Sequence, residues 1–294
     1  MYYRRKILLG LLQMFGGSLT KTDLQRYLFL LNQKMEIHIY EFIPTESGCY
    51  SFQANQDLST LTKYKIVKES EILWNLADKT SYLNQLKADD RILIEKFYAR
   101  FHEIKGDDLI KYVFENYPYY AIHSPIAEKL LSAKKYKDIS DRKPKGIKQI
   151  LFTIGYEGKS VEFYTNQLIE ADVKVLCDVR RIPLSMKYGF SKSQLISVVE
   201  SAGIKYYHFP ELGIASNKRQ EIKTKNDYDR LFNDYEKDIL KNEAPGLEKL
   251  NKLLLSEKRI ALTCFEADPN DCHRSRTAKA FLIKFGNNYA VKHI

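Results

Sequence analysis

The spacing of hydrophobic residues changes near residue 140, and this change predicts two domains. Before that point apolar residues recur every three or four positions, as in the segment 7–15, which is typical of amphipathic helices. After it, short apolar runs alternate with helical patterns, which is typical of strands joined by helices. A polar, basic segment over 136–148 contains proline and glycine and is interpreted as a linker. We therefore predict domains over 1–135 and 149–294.

The N-terminal domain is predicted to be mostly helical with a β-hairpin near its middle. A first helix ends at Gly16-Gly17, a second is capped by Thr20 or Thr22, and a third covers about 55–61. The stretch YKIVKESEILWNL then predicts two short strands, and two or three further helices are expected after it. Three helices and a hairpin follow the order of a winged-helix domain, which lays one helix in a DNA groove. A small helical module that binds protein is the alternative.

The C-terminal domain is predicted to be an α/β fold, with a mainly parallel sheet flanked by helices. Its helical patterns lie between apolar runs, and such alternation favours parallel strands covered on both faces. The predicted strands are QILFTIGY, KVLCDVR, KYYHFPELG, RIALTCFEAD and, at the end of the chain, YAVKHI.

Polar residues follow the carboxyl ends of these strands. In an open parallel sheet those ends share one edge, where ligands bind. Because several polar strand ends would meet there, we predict one shared crevice. The residues expected around it are Gly155, Tyr156, Glu157, Asp178, Arg180, Arg181, His208, Glu211, Gly213, Cys264, Glu266 and Asp268.

The stretch CFEADPNDCHR leads from the fourth strand into the last long helix. Asp268 is a suitable N-cap and Pro269 suits the first helical position, so the helix is expected to begin there. Cys272, His273 and Arg274 would then lie in its first turns, where free N–H groups and the helix dipole favour an anion. Arg274 is predicted to bind phosphate or carboxylate in a bidentate manner.

The cysteines of this stretch do not have the spacing of known motifs. A structural zinc site usually has four ligands in short paired spacings, and Cys264 and Cys272 are far apart while Cys177 is remote. A cysteine phosphatase needs an arginine six residues after its nucleophile, and neither cysteine has one. A sulfurtransferase is a further alternative, although the acidic loop is unfavourable for a thiolate. We interpret Cys264 as buried and inert, and expect neither a metal nor a cofactor.

Charge and composition favour a nucleic-acid partner. The 294 residues contain 47 Lys and Arg against 37 Asp and Glu, a formal net charge of +10. Such an excess fits an anionic partner, of which nucleic acid is the commonest. Four cysteines do not form a disulfide framework and indicate a cytoplasmic protein. The basic and apolar N-terminal run is interpreted as a core helix, not a secretory signal, and no membrane span is expected.

Four ordered motifs in the C-terminal half resemble the domain of unknown function 488 family. They are TIGYEGKS, DVRRIPLSMKYGFSK, YYHFPELGI and ALTCFEADPNDCHRSRTAKAFL, and the resemblance covers about 150–294. Many members have Arg where Met186 or Lys187 stands here. The N-terminal half, from LQRYLFLLNQ to SGCYSFQANQDLSTL, is similar to a winged-helix-like segment fused to some members. The resemblance implies that the family's motif positions are Tyr156, Asp178, Arg180, Pro183, Ser185, Phe190, Glu266, Cys272, His273 and Arg274.

These residues together predict an enzyme that hydrolyses the N-glycosidic bond of a base, including a modified base, in DNA. The partner would be double-stranded DNA with one nucleotide flipped out of the duplex, in DNA repair or in defence against foreign DNA. The expected catalytic residues are Asp178, Glu266 and His273. The expected substrate-binding residues are Tyr156, Arg180, Ser185, Phe190, Glu211, Cys272 and Arg274.

Two other functions remain open from the sequence. One is a magnesium-dependent nuclease that uses Asp178, Glu211 and Glu266 as ligands. The other is a DNA-binding regulator whose crevice senses a small anion without catalysis.

Overall fold

The chain forms two compact units, Met1–Lys143 and Pro144–Ile294, in a computed structural model. The boundary falls inside the predicted linker. The first part of that segment is helical, because a helix occupies Ala133–Arg142 with Ser132 as its N-cap and Ile139 buried. The structure describes residues 1–214, 225–242, 244–286 and 289–294.

The N-terminal unit is mostly helical. Its strands are β1 (Ser18–Thr20), β2 (Ile43–Thr45), β3 (Gly48–Tyr50), β4 (Val67–Glu69) and β5 (Leu73–Leu76), with 3-10 turns at Leu83–Gln85 and Pro118–Ala121. Its helices are α1 (Tyr3–Met14), α2 (Lys21–Asn32), α3 (Phe52–Lys63), α4 (Ala88–Phe101), α5 (Gly106–Asn116), α6 (Ala127–Leu130) and α7 (Ala133–Arg142).

Two antiparallel sheets accompany these helices. Strands β1, β5 and β4 form one sheet in that order, and β2 and β3 form a hairpin. Helix α2 begins after Thr20, whose hydroxyl accepts a hydrogen bond from the Asp23 amide at 3.0 Å, so this predicted cap is confirmed. The winged-helix assignment itself stays a prediction.

Helix α1 is a core element of this unit. Its buried residues run from Ile7 to Leu12 without interruption, which confirms that the apolar N-terminal run packs inside the unit. Among the residues that the structure describes, no helix combines the length and apolar composition needed to cross a membrane.

A buried carboxylate on α3 links three parts of this unit. The Asp57 side chain is fully buried and accepts hydrogen bonds from Arg4 at 2.6 Å, Arg5 at 2.8 Å and the Tyr40 hydroxyl at 2.9 Å. Burial opposes its ionisation, but the two guanidinium groups and the hydroxyl outweigh burial and hold the pKa of Asp57 below its ordinary value.

We expect Asp57→Asn to destabilise the N-terminal unit by about 3–5 kcal/mol, because the partly buried guanidinium groups of Arg4 and Arg5 lose the negative charge of their fully buried partner. A lowered folded-state pKa means that the contribution is complete above the unfolded pKa of about 3.9 and is lost as the pH falls through the lower folded value. Urea unfolding at pH 7 and at pH 3 measures both effects. The control Glu69→Gln removes an exposed pair with Lys21 and should cost less than about 1 kcal/mol. Equal losses in the two variants would contradict this role.

The C-terminal unit is an α/β fold built on a five-stranded parallel sheet, as predicted. The strand order is β10-β6-β9-β7-β8, and every neighbouring pair is parallel. Its strands are β6 (Ile150–Gly155), β7 (Val175–Asp178), β8 (Lys205–His208), β9 (Arg259–Cys264) and β10 (Ala290–His293). Its helices are α8 (Val161–Glu170), α9 (Lys192–Ser201), α10 (Lys225–Asn242), α11 (Ala244–Glu257) and α12 (His273–Phe285), with a 3-10 turn at Pro210–Leu212.

Helices cover both faces of this sheet. On one face, side chains from β6, β7 and β9 form a core with α10, α11 and α12. On the other face, Tyr164 of α8 donates a hydrogen bond to the Thr263 hydroxyl at 2.7 Å. Successive residues of a strand point to opposite faces, so each strand supplies side chains to both layers. Members of the first core include Leu151, Val175, Cys177, Ile260, Leu262, Leu247, Leu250 and Phe281.

Candidate functional site

A cleft of about 350 Å³ lies at the carboxyl edge of the parallel sheet. The ends of β6, β7 and β9 contribute to it, as does the segment that follows β7. Several polar strand ends therefore meet at one edge, as the sequence predicts. The cleft is lined by Tyr156, Arg180, Arg181, Ile182, Leu184, Ser185, Met186, Ile214, Cys264, Phe265 and His273.

Asp178 and Arg180 form a buried ion pair behind this cleft. Asp178 is 0% exposed and Arg180 is 6% exposed. The guanidinium Nη2 lies 2.6 Å from Asp178 Oδ2, and Tyr206 donates to the same oxygen at 2.7 Å. Burial disfavours the charge on Arg180, but Asp178 outweighs burial and raises the pKa of the guanidinium above its ordinary value. The carboxylate is thus neutralised and screened from any substrate.

Tyr156 and Phe190 also belong to this internal network. Their rings stack at 4.3 Å with an interplanar angle of 9°, and both residues are buried. Arg180 donates through Nη1 to the Tyr156 hydroxyl at 2.9 Å and to the Phe190 carbonyl at 2.8 Å. Tyr156 and Arg180, both predicted to bind substrate, line the cleft but have internal hydrogen-bond and stacking partners.

The exposed groups of the cleft come from the segments that follow β9 and β7. Phe265 is 43% exposed and meets Tyr156 edge-on at 5.4 Å between ring centroids. Arg181 is exposed and donates a hydrogen bond to the Pro210 carbonyl at 3.2 Å. Apolar side chains that are 57% to 104% exposed complete this wall: Ile182, Leu184 and Met186. The cleft therefore offers a flat aromatic ring, an apolar wall and a cation.

Cys264, Glu266, Cys272 and His273 form a compact cluster beside the cleft. The Cys264 thiol lies 3.2 Å from Glu266 Oε2 and 3.4 Å from His273 Nδ1, and Cys272 Sγ lies 4.0 Å from that nitrogen. All but Glu266 are buried. Burial and the contact with Cys264 raise the pKa of the Cys272 thiol well above its ordinary value, although His273 acts in the opposite direction. A Cys272 thiolate nucleophile, as a sulfurtransferase would need, is therefore unfavourable at neutral pH.

The expected helix start at Pro269 is wrong by four residues. Helix α12 begins at His273 with Cys272 at its N-cap, and the preceding residues form turns. Asp268 accepts a hydrogen bond from the Asn270 amide at 2.8 Å, which closes a local turn instead of capping the helix.

Arg274 binds the backbone of its own loop instead of an external anion. It is 1% exposed, and its guanidinium donates to the carbonyls of Glu266 at 2.5 Å and Ala267 at 2.9 Å. The same loop crosses Gly155 so closely that a Cβ there would come within 1.8 Å of the Glu266 carbonyl oxygen. Gly155 and Arg274 together hold Glu266 beside Cys264.

The family comparison supports the resemblance seen in the motifs. The model described as domain of unknown function DUF488 matches residues 159–281. The C-terminal unit carries a DUF488 domain. No curated protein and no solved structure matches the chain.

Other predicted residues of the DUF488 domain make local contacts at this edge of the sheet. Ser185 lines the cleft, and its hydroxyl accepts a hydrogen bond from the Lys187 amide at 3.1 Å. Glu211 lies in the 3-10 turn after β8 and pairs with Lys249 at 3.3 Å. His208 contacts the Arg180 carbonyl at 2.9 Å and positions that backbone.

Strand alternation separates the residues at this edge of the DUF488 domain into two sets, one on each face of the sheet. Asp178 is in register with Thr263, so it shares the α8 face, whereas Cys264 points to the opposite face. Arg181 is among the residues that the sequence places at this edge, whereas Phe265 is not, although it is an aromatic residue directly after a strand end. Their exposure depends on packing that the sequence does not show.

We expect Asp178→Asn to destabilise the DUF488 domain by about 3–5 kcal/mol, because buried Arg180 loses its counter-charge. Tyr206→Phe removes one hydrogen bond to the carboxylate and should cost about 1.5–3 kcal/mol. The control Glu211→Gln removes a largely exposed pair and should cost less than about 1 kcal/mol. Denaturant unfolding followed by circular dichroism measures all three. An Asp178→Asn protein as stable as the wild type would refute the structural role of this pair.

Proposed function

We propose that this protein hydrolyses the N-glycosidic bond of a base in DNA, with Glu266 as its catalytic carboxylate. The observation that carries the proposal is the difference between two carboxylates at the same sheet edge. Asp178 is buried against Arg180, whereas Glu266 is partly exposed and contacts cleft-lining Cys264. Of the two carboxylates expected to be catalytic, we therefore assign the catalytic role to Glu266.

The rest of the cleft suits a nucleotide turned out of a duplex. Phe265 offers an exposed ring for stacking, and Arg181 offers an exposed guanidinium for a flanking phosphate. The apolar wall at 182–186 would exclude water from the base.

The reaction assigned to Glu266 follows from its position. The bond between the sugar C1′ and the base nitrogen breaks, and the base leaves with the electron pair. The carboxylate stabilises the oxocarbenium-like sugar and accepts the proton of the water whose oxygen bonds to C1′. His273 acts as a positioning residue, because its Nε2 already donates to the Val179 carbonyl at 2.9 Å.

The N-terminal unit would hold duplex DNA. Three exposed lysines lie at the end of α3 and on the following segment, namely Lys63, Lys65 and Lys68. With a net charge of +10, they support phosphate contact, which should weaken steeply with added salt. The proposed setting is cytoplasmic DNA repair or defence against DNA that carries modified bases.

The nuclease alternative has less support from the geometry. Its three ligands would be Asp178, Glu211 and Glu266, but Asp178 is paired with Arg180 and Glu211 with Lys249. Two of the three carboxylates that would have to share one Mg²⁺ are thus engaged with separate cations.

Mass spectrometry of products tests the proposal, with modified and unmodified duplex DNA incubated with and without EDTA. We expect a released base and an abasic strand, and we expect Glu266→Gln to lower the rate about 10²–10⁴-fold. Phe265→Ala and Arg181→Ala should mainly raise KM, because they remove substrate contacts. Thermal unfolding checks that each variant is folded.

Three results would contradict the proposal. If Glu266→Gln releases base as fast as the wild type, Glu266 is not the catalytic carboxylate. Strand breaks that EDTA abolishes would show a nuclease. Tight DNA binding that a small anion modulates, without any product, would show a regulator.

A further inference from the structure

Four side chains of the DUF488 domain offer metal-ligand atoms to one point. The thiols of Cys264 and Cys272, a carboxylate oxygen of Glu266 and Nδ1 of His273 all lie within 4.8 Å of one another. We propose that Cys264, Cys272 and His273 bind a Zn²⁺ ion and that the Glu266 carboxylate lies beside its fourth coordination position. The spacing of these residues in the sequence predicts no metal site, so this proposal contradicts that prediction.

The distances between these atoms suit a tetrahedral ion. Zinc bonds of about 2.3 Å to sulfur and about 2.0–2.1 Å to nitrogen place the two donor atoms about 3.5 Å apart. The distances from His273 Nδ1 to Cys264 Sγ and to Cys272 Sγ are 3.4 and 4.0 Å. An ion would therefore need only small side-chain movements to bind.

The orientation of His273 is already that of a metal ligand. Its Nε2 must carry a proton, because it faces the Val179 carbonyl at 2.9 Å. In the neutral ring, Nδ1 is then the nitrogen without a proton, and it faces the thiols of Cys264 and Cys272. Metal-bound histidines usually donate their second N–H to such a carbonyl, which fixes the ring and the tautomer. Tyr235 packs edge-on against the ring at 5.6 Å and restricts it further.

The loop that joins the ligands is held in place by the protein itself. Arg274 binds the carbonyls of Glu266 and Ala267, and the Ala267 amide donates to Glu157 Oε2 at 3.0 Å. These contacts bring Cys264 and Cys272 together although eight positions separate them in the chain. The metal ligands therefore do not need to lie in closely spaced pairs in the sequence.

The ligand chemistry selects the ion. Thiolate sulfur and imidazole nitrogen favour Zn²⁺, whereas Mg²⁺ and Ca²⁺ favour oxygen ligands. Two thiolates, an imidazole and a nearby glutamate are also the groups with which zinc-dependent nucleobase deaminases activate water. Because Cys264 and His273 line the cleft, the ion would lie in its wall. The metal site stands by itself, and only the role of Glu266 beside it rests on the proposed function.

Metal analysis of the full-length protein tests the site. We expect about one zinc per chain after purification with added Zn²⁺, measured by plasma mass spectrometry. Replacement by Co²⁺ should produce thiolate-to-metal charge-transfer absorption. Cys264→Ser and Cys272→Ser should each lower zinc affinity by at least about 100-fold, since the loss of outer-shell partners alone costs 10–100-fold. The control Cys177→Ala removes a buried thiol of the same domain and should retain the zinc.

A measurement on the wild type covers the case in which a cysteine variant does not fold. With saturating zinc, Cys264 and Cys272 should resist alkylation, and a chelator should make both reactive, as peptide mass mapping would show. Cys177 should not respond to the chelator. Zinc content below about 0.1 per chain with no charge-transfer band, or equal alkylation with and without zinc, would overturn the site.

Glu266→Gln separates the failure of this site from the failure of the proposed function. A variant that keeps its zinc but no longer releases base supports both assignments. If the Glu266→Gln variant does not bind zinc, the carboxylate is itself a ligand, and its placement beside the ion is wrong. A wild-type protein that binds zinc but forms no product from DNA would overturn the proposed function and leave the metal site standing.

Discussion

A buried ion pair organises the carboxyl edge of the sheet in the DUF488 domain. Asp178 ends strand β7, which lies between β9 and β8, and Arg180 joins its carboxylate to Tyr156 after β6 and to the Phe190 carbonyl. Tyr206 of β8 closes the same network. A charge pair without solvent is stable only when its remaining donors and acceptors are satisfied. That requirement draws the strand ends and the segment after β7 into one arrangement, and the cleft lies over it.

Alternation along the strands divides the chemistry of this edge into two sets. Asp178, Arg180 and Tyr156 lie with the α8 layer and are internal. Cys264 lies on the opposite face with His273, near the start of α12, and Glu266 contacts it. The first set gives rigidity, and the second set meets the cleft with groups that can bind or react. Catalytic groups need such a supporting shell, because a small displacement costs much of the rate.

The loop from β9 to α12 is the clearest case of long-range control in this protein. Gly155 leaves room for its backbone to cross, and Arg274 binds that backbone from the following helix. The loop therefore returns on itself and brings two cysteines to one histidine. Glu266 and Cys272 thereby lie close to Cys264 and His273, which line the cleft.

The sequence by itself determined the α/β fold, the parallel strands and their shared edge. The spacing of apolar residues and the polar residues that follow each strand are local properties, so both can be read from the sequence. It also identified the DUF488 domain and most residues near the cleft. Only the tertiary structure decided which of them are accessible. Asp178 and Glu266 look alike in the sequence, and burial beside Arg180 makes one structural while the other stays partly exposed. The approach of Cys264 to Cys272 and the exposure of Phe265 likewise depend on loop crossing and packing between distant residues, which no local pattern encodes.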